Sequence, residues 1–353
     1  MRVKEFQDFL REEKISCAIL FNFDDNLNPN FDYFAGFEGN GCFIIPKKGR
    51  PVLLVPQMEE EKARKTRNKV IIYKKDFWKK AKKHIKGRRI GIDFYTVTLM
   101  MQRSLKKNLG KRRLVSISER CSELRAIKTK KELSNLKEAC RITDEIMGKC
   151  FGGFRRHRFR TEKDVVDFFD EETRKKGCEF SFSPVVASGH GSSQPHYVPK
   201  DVKLRKGFCV IDFGVKYKGY CADMTRTIYL GKPKKKETDM YNLLLKVQED
   251  LIKELKAGQR CSETYNNCVK KLGKYGKNFI HGLGHGVGLE IHELPNLRPS
   301  SNETIEEDIV FTIEPGIYFR GRFGIRIEDT ILMGKKPIIL TKTPKDLLRM
   351  RDK

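Results

Sequence analysis

The sequence predicts two domains, an α/β domain over residues 1–122 and an α+β domain built of two related halves over residues 123–353. Three observations support this prediction. Short apolar runs alternate with charged helical stretches in the first third of the chain, long amphipathic helices begin near Thr129, and the order helix, helix, sheet then occurs twice. A chain of 353 residues that is 39% hydrophobic is long and apolar enough for two cores.

The first domain is predicted from five apolar runs that are typical of buried strands. These runs are 17–22, 42–46, 51–56, 70–73 and 89–93. Helical stretches, for example 58–68 and 76–86, lie between them, and Gly87 and Gly110 stand where helices would end. This alternation indicates an α/β domain.

The second domain begins with two helices, each with a capping signal at its start. Thr129 is followed by Glu132 and Thr161 by Asp164, the spacing of a capping box, and Gly177 ends the second helix. Strands are predicted at 179–189, 208–215 and 221–230, then helices at 238–256 and 262–275, then strands at 308–319 and 323–333. The repeated order indicates two halves of related architecture.

The net charge of +27 raises the question of an anionic partner. The densest basic clusters, "KKAKKHIKGRR", "RRHRFR" and "KPKKKE", lie in different segments, and no nucleic-acid-binding signature accompanies them. Because 34% of the residues are charged, a solvated Lys/Glu-rich surface is the favoured interpretation. We therefore expect no nucleic-acid partner.

The cysteines and the amino terminus indicate a cytoplasmic protein. Ten cysteines are present without a C-x-x-C pair, and most lie inside apolar segments, as expected of buried thiols in a reducing compartment. The amino terminus, "MRVKEFQDFLREEK", is a charged amphipathic helix, and no apolar run approaches the ~18 residues of a membrane helix. We expect no membrane association.

The stretch "HGLGHGVGLEIHELP", residues 281–295, holds three of the seven histidines. Its four glycines would each cost roughly 1 kcal/mol in a helix, so His281 and His285 do not form a zinc-binding helical pair. No G-K-[ST] sequence follows, which argues against a phosphate-binding loop. The glycines instead indicate that the backbone passes close to a crowded site.

Four carboxylates stand in strand-like surroundings where charge is normally unwelcome: Asp212, Asp223, Glu314 and Glu328. A tight turn at Tyr217-Lys218 would place Asp212 opposite Asp223, an arrangement that a bound cation would make tolerable. Along the last strand, Arg326, Glu328 and Thr330 share one face. Four acids and a glycine-flanked imidazole are typical ligands for two divalent cations, and such a pair can activate water.

These residues together resemble the metal ligands of the pita-bread metallopeptidases, a superfamily that includes prolidase, aminopeptidase P, methionine aminopeptidase and creatinase. The resemblance rests on Asp212, Asp223 eleven residues later, His285 in "GHGVG", Glu314 in "TIEPG" and Glu328 in "RIED". It covers nearly the whole chain, because an α/β domain also precedes the catalytic domain in the prolidase and aminopeptidase P branch. The implied fold is therefore an α/β domain followed by a pita-bread catalytic domain with pseudo-two-fold halves.

The resemblance also implies the cofactor and the reaction. Asp212, Asp223, His285, Glu314 and Glu328 would hold two divalent ions, Mn²⁺ or Co²⁺ foremost and Fe²⁺ or Zn²⁺ as alternatives. A metal-bridging hydroxide would attack the carbonyl of the bond preceding proline, with Glu314 as the proton shuttle. Members of this branch are commonly homodimers in which the first domain helps to close the neighbouring site, and residues 30–41 are the segment predicted to do so.

Further residues of this chain match positions near the substrate in that family. His292 would contact the substrate carbonyl as a catalytic residue, and His196 would line the pocket. His281 would pack beside the substrate, and Arg326 would lie behind the carboxylates and contribute to substrate binding. In the isolated sequence, His196 could equally be an exposed loop residue.

Several functional alternatives remain at this point. An Xaa-Pro dipeptidase is favoured, but Asn296 stands where some prolidases have an arginine, so an Xaa-Pro aminopeptidase acting on longer peptides remains open. A non-catalytic scaffold that binds RNA or protein is the third candidate, and its relatives usually lack metal ligands. Creatinase-like hydrolysis ranks last.

Overall fold

The computed structural model describes residues 2–350 and separates the chain into two compact units. Unit 1 spans Met1–Leu124 and unit 2 spans Arg125–Lys353. The boundary suggested by the sequence, 122/123, lies two residues before this division. Within residues 2–350, no helix is both long and apolar enough to cross a lipid bilayer.

Unit 1 is a six-stranded sheet with helices on both faces. Its helices are α1 (Arg2–Glu12), α2 (Pro29–Ala35), α3 (Glu60–Arg64), α4 (Phe77–Ala81), α5 (Leu99–Leu109) and α6 (Ser118–Ala126), which extends just past Leu124. Its strands are β1 (Cys17–Asn22), β2 (Gly41–Pro46), β3 (Val52–Pro56), β4 (Lys69–Tyr73), β5 (Arg89–Ile92) and β6 (Arg113–Ser116), in the sheet order β4-β3-β2-β1-β5-β6. The five predicted strands agree within one residue, whereas β6 was not predicted.

Alternate residues of the strands face two different cores. Ala18 and Leu20 of β1 face the core that includes α1, α2, α3 and α6. Cys17, Ile19 and Phe21 face the core that includes α4 and α5. Because successive side chains of a strand point to opposite faces, apolar residues at every position of β1 require helices on both sides.

The aromatic residues of the segment predicted to close a neighbouring site are used inside unit 1. Phe31, Phe34 and Phe37 are buried in its core, and Tyr33 donates its hydroxyl to the Leu124 carbonyl at 3.0 Å. Residues 30–41 therefore present few apolar side chains to solvent, and their proposed role at a neighbouring site stays a prediction.

Unit 2 begins with two helices and two small sheets. Its first half comprises α7 (Lys130–Arg155), α8 (Glu162–Lys175), β7 (Glu179–Phe180), β8 (Val185–Ser188), β9 (Gly207–Asp212), β10 (Val215–Tyr217), β11 (Tyr220–Cys221) and β12 (Thr225–Leu230). Both predicted capping boxes are confirmed, since Thr129 and Thr161 each exchange hydrogen bonds with the acid three residues later.

The second half repeats the order of two helices followed by strands. It comprises α9 (Lys235–Glu254), β13 (Gln259–Arg260), α10 (Cys261–Leu272), β14 (Gly284–Gly286), β15 (Glu293–Leu297), β16 (Thr304–Ile305), β17 (Val310–Ile313), β18 (Gly316–Phe319), β19 (Phe323–Arg326), β20 (Asp329–Met333), β21 (Pro337–Ile339) and β22 (Arg349–Met350). The sheets of unit 2 have the orders β11-β10-β7, β22-β12-β9-β8, β13-β16, β15-β14-β17-β20-β21 and β18-β19.

All five strands predicted as continuous in unit 2 are interrupted. The run 179–189 breaks into β7 and β8, 208–215 into β9 and the start of β10, and 221–230 into β11 and β12. The run 308–319 breaks after Ile313 into β17 and β18, and the run 323–333 breaks after Arg326 into β19 and β20. The two fragments of each run pair in different sheets. Local apolar composition could not reveal the breaks, because strands of both sheets are buried.

The prediction that Asp212 pairs with Asp223 is wrong, because the turn between their strands lies one residue later than predicted. Tyr217 pairs with Tyr220 across a turn at Lys218-Gly219, where φ is 47° and 82°, and Asp212 pairs with Thr225. This register places Asp223 opposite Gly214, where an added Cβ would lie 1.9 Å from the Ala222 carbonyl oxygen. Glycine is thus required where this strand approaches the Asp223 loop.

Candidate active site

The five predicted metal ligands lie at strand ends and interruptions in unit 2. Asp212 ends β9, Asp223 precedes β12, His285 lies in β14, Glu314 follows β17 and Glu328 precedes β20. The Glu328 N–H donates to the Thr225 carbonyl at 3.1 Å, which joins the sheet of β12 to the strand break before β20. The interruptions therefore bring ligands from two sheets to one place.

Glycines around His285 permit close approach of the neighbouring strands. A Cβ added to Gly284 would lie 1.9 Å from the Thr312 carbonyl oxygen, and one added to Gly286 would lie 1.9 Å from that of Leu294. The expectation that these glycines serve a crowded backbone is confirmed. A larger residue at either position would push β14 away from its neighbours.

Three of the predicted ligands form a compact cluster. Ligand atoms of Asp223, His285 and Glu328 all lie within 4.8 Å of one another. Glu314 joins them, because its Oε1 is 3.5 Å from Nε2 of His285. Asp212 lies at the edge of the cluster, where its Oδ2 accepts a hydrogen bond of 2.6 Å from Nη2 of Arg326.

The carboxylates are arranged to hold a cation. Asp212 Oδ1, Asp223 Oδ1 and Glu328 Oε1 are buried and accept no hydrogen bond. Buried carboxylate oxygens without donors are costly, and several of them converging leave a strongly negative site. Oxygen ligands and one imidazole suit divalent ions such as Mn²⁺, Co²⁺, Fe²⁺ or Zn²⁺, so the residues fit a metal centre.

In the metal-free protein these carboxyl groups hold protons more tightly than usual. Burial raises the pKa of Asp223 well above its ordinary value, and the charges of Glu328 and Asp212 raise it further. Burial, followed by the charge of Glu314, does the same to the pKa of Glu328. For Glu314, burial raises the pKa to about 7. Protons thus compensate the charge where a cation would otherwise do so.

The imidazole of His285 is poised as a neutral ligand. Burial lowers its pKa to about 4. Nδ1 lies 3.1 Å from the Gly286 carbonyl oxygen, so the hydrogen-bond pattern assigns the proton to Nδ1. The lone pair of Nε2 is then directed toward Asp223 and Glu314, each 3.5 Å away. A backbone partner on the remote nitrogen is the usual way that a metal-binding histidine is oriented.

Arg326 organises the side of the site next to Asp212. Its buried guanidinium donates to Asp212, to Thr225 Oγ1 at 3.0 Å, to the Tyr318 hydroxyl at 2.9 Å and to the Pro195 carbonyl at 3.2 Å. These protein acceptors occupy Nε and both terminal nitrogens. Arg326 therefore lies behind the carboxylates, and its Nε, Nη1 and Nη2 all donate hydrogen bonds to protein acceptors.

His281 lies at the far end of the same hydrogen-bond chain. Because the Tyr318 hydroxyl accepts from Arg326, its proton is directed to Nε2 of His281 at 3.1 Å. Nδ1 then donates to the Gly282 carbonyl at 2.7 Å. Burial, followed by the charge of Arg326, lowers the pKa of His281 to about 4, in keeping with this neutral tautomer.

His292 and His196 occupy the solvent side of the site, and both are exposed. The ring centroid of His292 is 4.3 Å from that of His285. Burial, followed by the charge of His196, lowers the pKa of His292. Two accessible imidazoles thus stand beside the metal-binding cluster.

Sequence reasoning missed the buried ion pairs of Glu293, which fix the loop that carries His292. Glu293 accepts hydrogen bonds from the Leu289 and Glu290 N–H groups at 2.9 and 3.2 Å, and it pairs with Lys128 at 3.1 Å and with Arg125. The loop between β14 and β15 is thereby held by the start of unit 2. An acid inside the apolar context of "HELP" is the signal that could have pointed to it.

Thr225, Thr312 and Tyr318 around the cluster were also missed, whereas strand alternation had already grouped Thr330 with Glu328. Thr225 donates to Glu328 at 2.7 Å, Thr312 to Glu314 at 3.4 Å, and Thr330 to the Asp223 carbonyl at 2.7 Å, while Tyr318 links Arg326 to His281. Thr225 and Thr312 each lie two residues from a ligand and hence on the same strand face, a signal available from alternation.

Comparison with known proteins agrees with this architecture. Residues 134–335 match the model of metallopeptidase family M24, and residues 2–127 match the creatinase/prolidase N-terminal domain. An Xaa-Pro dipeptidase of Pyrococcus furiosus is 34% identical over 328 residues, covering 90% of this chain and 92% of that protein.

Solved structures resemble the whole chain. An Xaa-Pro dipeptidase from Bacillus anthracis superposes with a TM-score of 0.90 at 31% identity, covering 99% of both chains. An X-Pro aminopeptidase from Thermotoga maritima superposes with a TM-score of 0.86 at 29% identity, covering 98% of this chain and 99% of that one. The predicted fold, an α/β domain followed by a pita-bread catalytic domain, is confirmed.

Proposed function

Because the chain belongs to metallopeptidase family M24, we propose that it is an Xaa-Pro dipeptidase that hydrolyses the peptide bond preceding proline. The observation that carries the proposal is the buried cluster of Asp223, His285 and Glu328, flanked by Asp212 and Glu314. Similarity to an Xaa-Pro dipeptidase over 90% of the chain supports the choice of substrate.

Two divalent ions would be held by Asp212, Asp223, His285, Glu314 and Glu328. Mn²⁺ and Co²⁺ are the proposed ions, and Fe²⁺ and Zn²⁺ suit the same ligands. When bound, such ions polarise a carbonyl and activate water at neutral pH. The buried oxygens Asp212 Oδ1, Asp223 Oδ1 and Glu328 Oε1 support this assignment, because residues 2–350 offer them no hydrogen-bond donor.

The side chains around the cluster have distinct proposed roles. Glu314 takes a proton from the attacking water and returns it to the leaving nitrogen, and burial raises the pKa of this carboxyl group to about 7 in the metal-free protein. His292 and His196, both exposed beside the cluster, line the substrate pocket and steady the carbonyl oxygen. Arg326 positions Asp212, and His281 supports Arg326 through Tyr318.

An Xaa-Pro aminopeptidase is the second candidate. Asn296 stands where some prolidases have an arginine. It pairs with His285 across strands β14 and β15, so the residue next to the cluster is uncharged. The structural similarity to an X-Pro aminopeptidase also favours this candidate. A non-catalytic scaffold is disfavoured, because every predicted metal ligand is present.

Relative turnover of a dipeptide and a tripeptide separates the two activities. We expect an Xaa-Pro dipeptide to be hydrolysed with a kcat/KM at least about tenfold above that of the matching Xaa-Pro-Xaa tripeptide, which is about 1.4 kcal/mol of transition-state preference. The assay is run with Mn²⁺ and with Co²⁺, and bound metal is determined in the same samples. A preference for the tripeptide would select the aminopeptidase, and hydrolysis of neither peptide would refute both.

Replacing His292 tests its proposed contact with the substrate carbonyl. We expect His292→Ala to lower kcat by about 10²–10⁴-fold while metal content stays at the wild-type level. His190, an exposed histidine without an assigned role, provides the matched control as His190→Ala. An equal loss in both variants, or a loss of metal from the His292 variant, would contradict the assignment.

The assembly and location of the enzyme follow the same resemblance. We propose a homodimer in the cytoplasm, as in the prolidase and aminopeptidase P branch. The proposal is supported by the match of both domains, since the first domain is the part that closes the neighbouring site in that branch.

A further inference from the structure

Positive charge is concentrated in one part of unit 1. The stretches "KKDFWKKAKKHIKGRR" (74–89) and "RSLKKNLGKRR" (103–113) contain fifteen lysines and arginines, twelve of them exposed. The acids of the whole segment 74–113 are Asp76 and Asp93. Asp93 is buried, and Asp76 pairs with Lys80 at 3.3 Å. The exposed charge of this segment is therefore almost purely cationic.

The fold brings both stretches to the same side of the sheet. Ala81 of α4 and Leu105 and Leu109 of α5 are buried in one core, on the face opposite to α1, α2, α3 and α6. Arg112 donates to the Gly87 carbonyl at 3.1 Å. We term the surface formed by residues 74–89 and 103–113 the cationic face. It is carried by α4, α5 and the turns that follow them.

Within the cationic face, like charges are held close together without counter-charges. Arg89 lies opposite Arg113 on the neighbouring strands β5 and β6, and the Arg113 N–H donates to the Arg88 carbonyl at 2.8 Å. Between residues 2 and 350, Lys80 is the residue of this face that forms an ion pair with an acid. Crowded like charges are unfavourable for the fold, so an anion bound across them would be stabilising.

On helix α8, by contrast, basic residues are balanced locally. On α8, Arg174 pairs with Asp170 and Lys175 with Glu171, each four residues apart. Such interspersed pairs are what a solvated Lys/Glu-rich surface looks like. The cationic face departs from that pattern, so the general composition of the chain does not explain it.

Two exposed aromatic residues stand at the end of the sheet where α5 begins. Phe94 and Tyr95 are 49% and 70% exposed. Their backbone is held in place, because Ser118 Oγ accepts from the Phe94 N–H at 2.8 Å and Asp93 Oδ1 accepts from the Tyr95 N–H at 3.2 Å. These aromatic rings lie after the end of β5, one strand length from Arg88 and Arg89 at its start, so they are suited to stack on the bases of a strand long enough to reach both.

We propose that the cationic face binds the phosphate backbone of a single nucleic-acid strand, with Phe94 and Tyr95 stacking on its bases. A lipid surface fits less well: Leu99 and Met100 in the first turn of α5 are exposed, but the other apolar residues of α4 and α5 are buried or half-buried against the sheet, so no apolar stripe runs along either helix. This proposal replaces the sequence-based expectation of no nucleic-acid partner, since the fold combines basic clusters that lie apart in the sequence.

Fluorescence anisotropy with a labelled single-stranded oligouridylate tests the proposal. We expect a Kd of about 10⁻⁶ M or tighter at about 50 mM salt, weakening steeply as salt is added. A triple variant should bind the oligonucleotide at least about tenfold more weakly; it combines Lys83→Glu, Lys86→Glu and Lys107→Glu. The slope of log K against log salt concentration should fall in magnitude by about two, because each lost phosphate contact contributes about 0.7. The control combines Lys232→Glu, Lys235→Glu and Lys236→Glu, an equal change of charge at exposed positions of unit 2.

Three outcomes would overturn the proposal. The first is equal weakening by the two triple variants, which would indicate attraction by net charge alone. The second is stronger binding to vesicles of anionic phospholipid than to the oligonucleotide, which would select a lipid surface. The third is a Tyr95→Ala variant that binds the single strand as tightly as the wild type. If Tyr95 stacks on a base, this variant should bind the single strand about fivefold or more weakly, while its affinity for duplex RNA should stay unchanged. Unchanged peptidase turnover and thermal unfolding confirm that each variant is folded.

Discussion

The Glu314→Gln variant is expected to hydrolyse Xaa-Pro dipeptides at least about 10³-fold more slowly than the wild type. The substitution keeps the size of the side chain but removes a carboxyl group whose pKa burial raises to about 7 in the metal-free protein, close to the pH at which a group can both take and return a proton. It also removes an anionic oxygen that lies 3.5 Å from Nε2 of His285. Steady-state kinetics with Mn²⁺ in excess measure the loss.

Metal content distinguishes the two ways in which Glu314 can act. If the variant binds the wild-type amount of Mn²⁺ and loses kcat, the side chain acts mainly through its proton. If Mn²⁺ is lost as well, its role as a ligand dominates. Glu307→Gln, an exposed carboxylate seven residues earlier, is the matched control and should leave turnover unchanged. Turnover within about threefold of the wild type in Glu314→Gln would refute the assignment of this residue.

Divalent metal is expected to stabilise the protein, and to do so more strongly as the pH rises. At a metal concentration about 1,000 times Kd, linkage predicts a gain of about 4 kcal/mol in the free energy of unfolding at pH 8. The gain should be much smaller at pH 5.5, because protons then occupy Asp223, Glu314 and Glu328, whose pKa values are all raised by burial. Urea unfolding with Mn²⁺ and with EDTA at each pH measures the difference.

The direction of this pH dependence follows from which state binds protons. In the metal-free fold, the raised pKa of Glu314 contributes stability that is fully present below about pH 4.5 and is lost as the pH rises through about 7. That contribution is on the order of 3 kcal/mol. His281 and His285 have the opposite effect between about pH 4 and 6.5, because their pKa values are lowered to about 4. Both histidines are already neutral over the tested range, so they do not compete with the metal.

A variant without the central carboxylate separates metal binding from general effects of pH. Asp223→Asn should show little or no gain from Mn²⁺ at any pH, because Asp223 lies within 4.8 Å of both His285 and Glu328. The same gain at pH 5.5 and pH 8 in the wild type would contradict the proposed competition between protons and metal. A full Mn²⁺ response in Asp223→Asn would place the metal elsewhere.

Most of the local structure could be read from the sequence. The five strands of unit 1 that were predicted agree within one residue, because buried strands need continuous apolar runs. The starts of α7 and α8 are set by Thr129 with Glu132 and by Thr161 with Asp164, whose hydrogen bonds involve only neighbours in the chain. The identity of the metal-binding residues came from the resemblance of five short motifs.

The sequence by itself therefore indicated two domains, five of the six strands of unit 1 and the main helices of unit 2, since these depend on local composition and spacing, and its short motifs indicated the candidate metal ligands. Only the tertiary structure decided that Asp212 pairs with Thr225, that two strands break beside Glu314 and Glu328, and that Glu293 is clamped by Arg125 and Lys128. It also decided that two basic stretches share one face. Register, buried ion pairs and surface charge depend on contacts between residues far apart in the chain, and packing of the whole fold selects among arrangements that are locally equivalent.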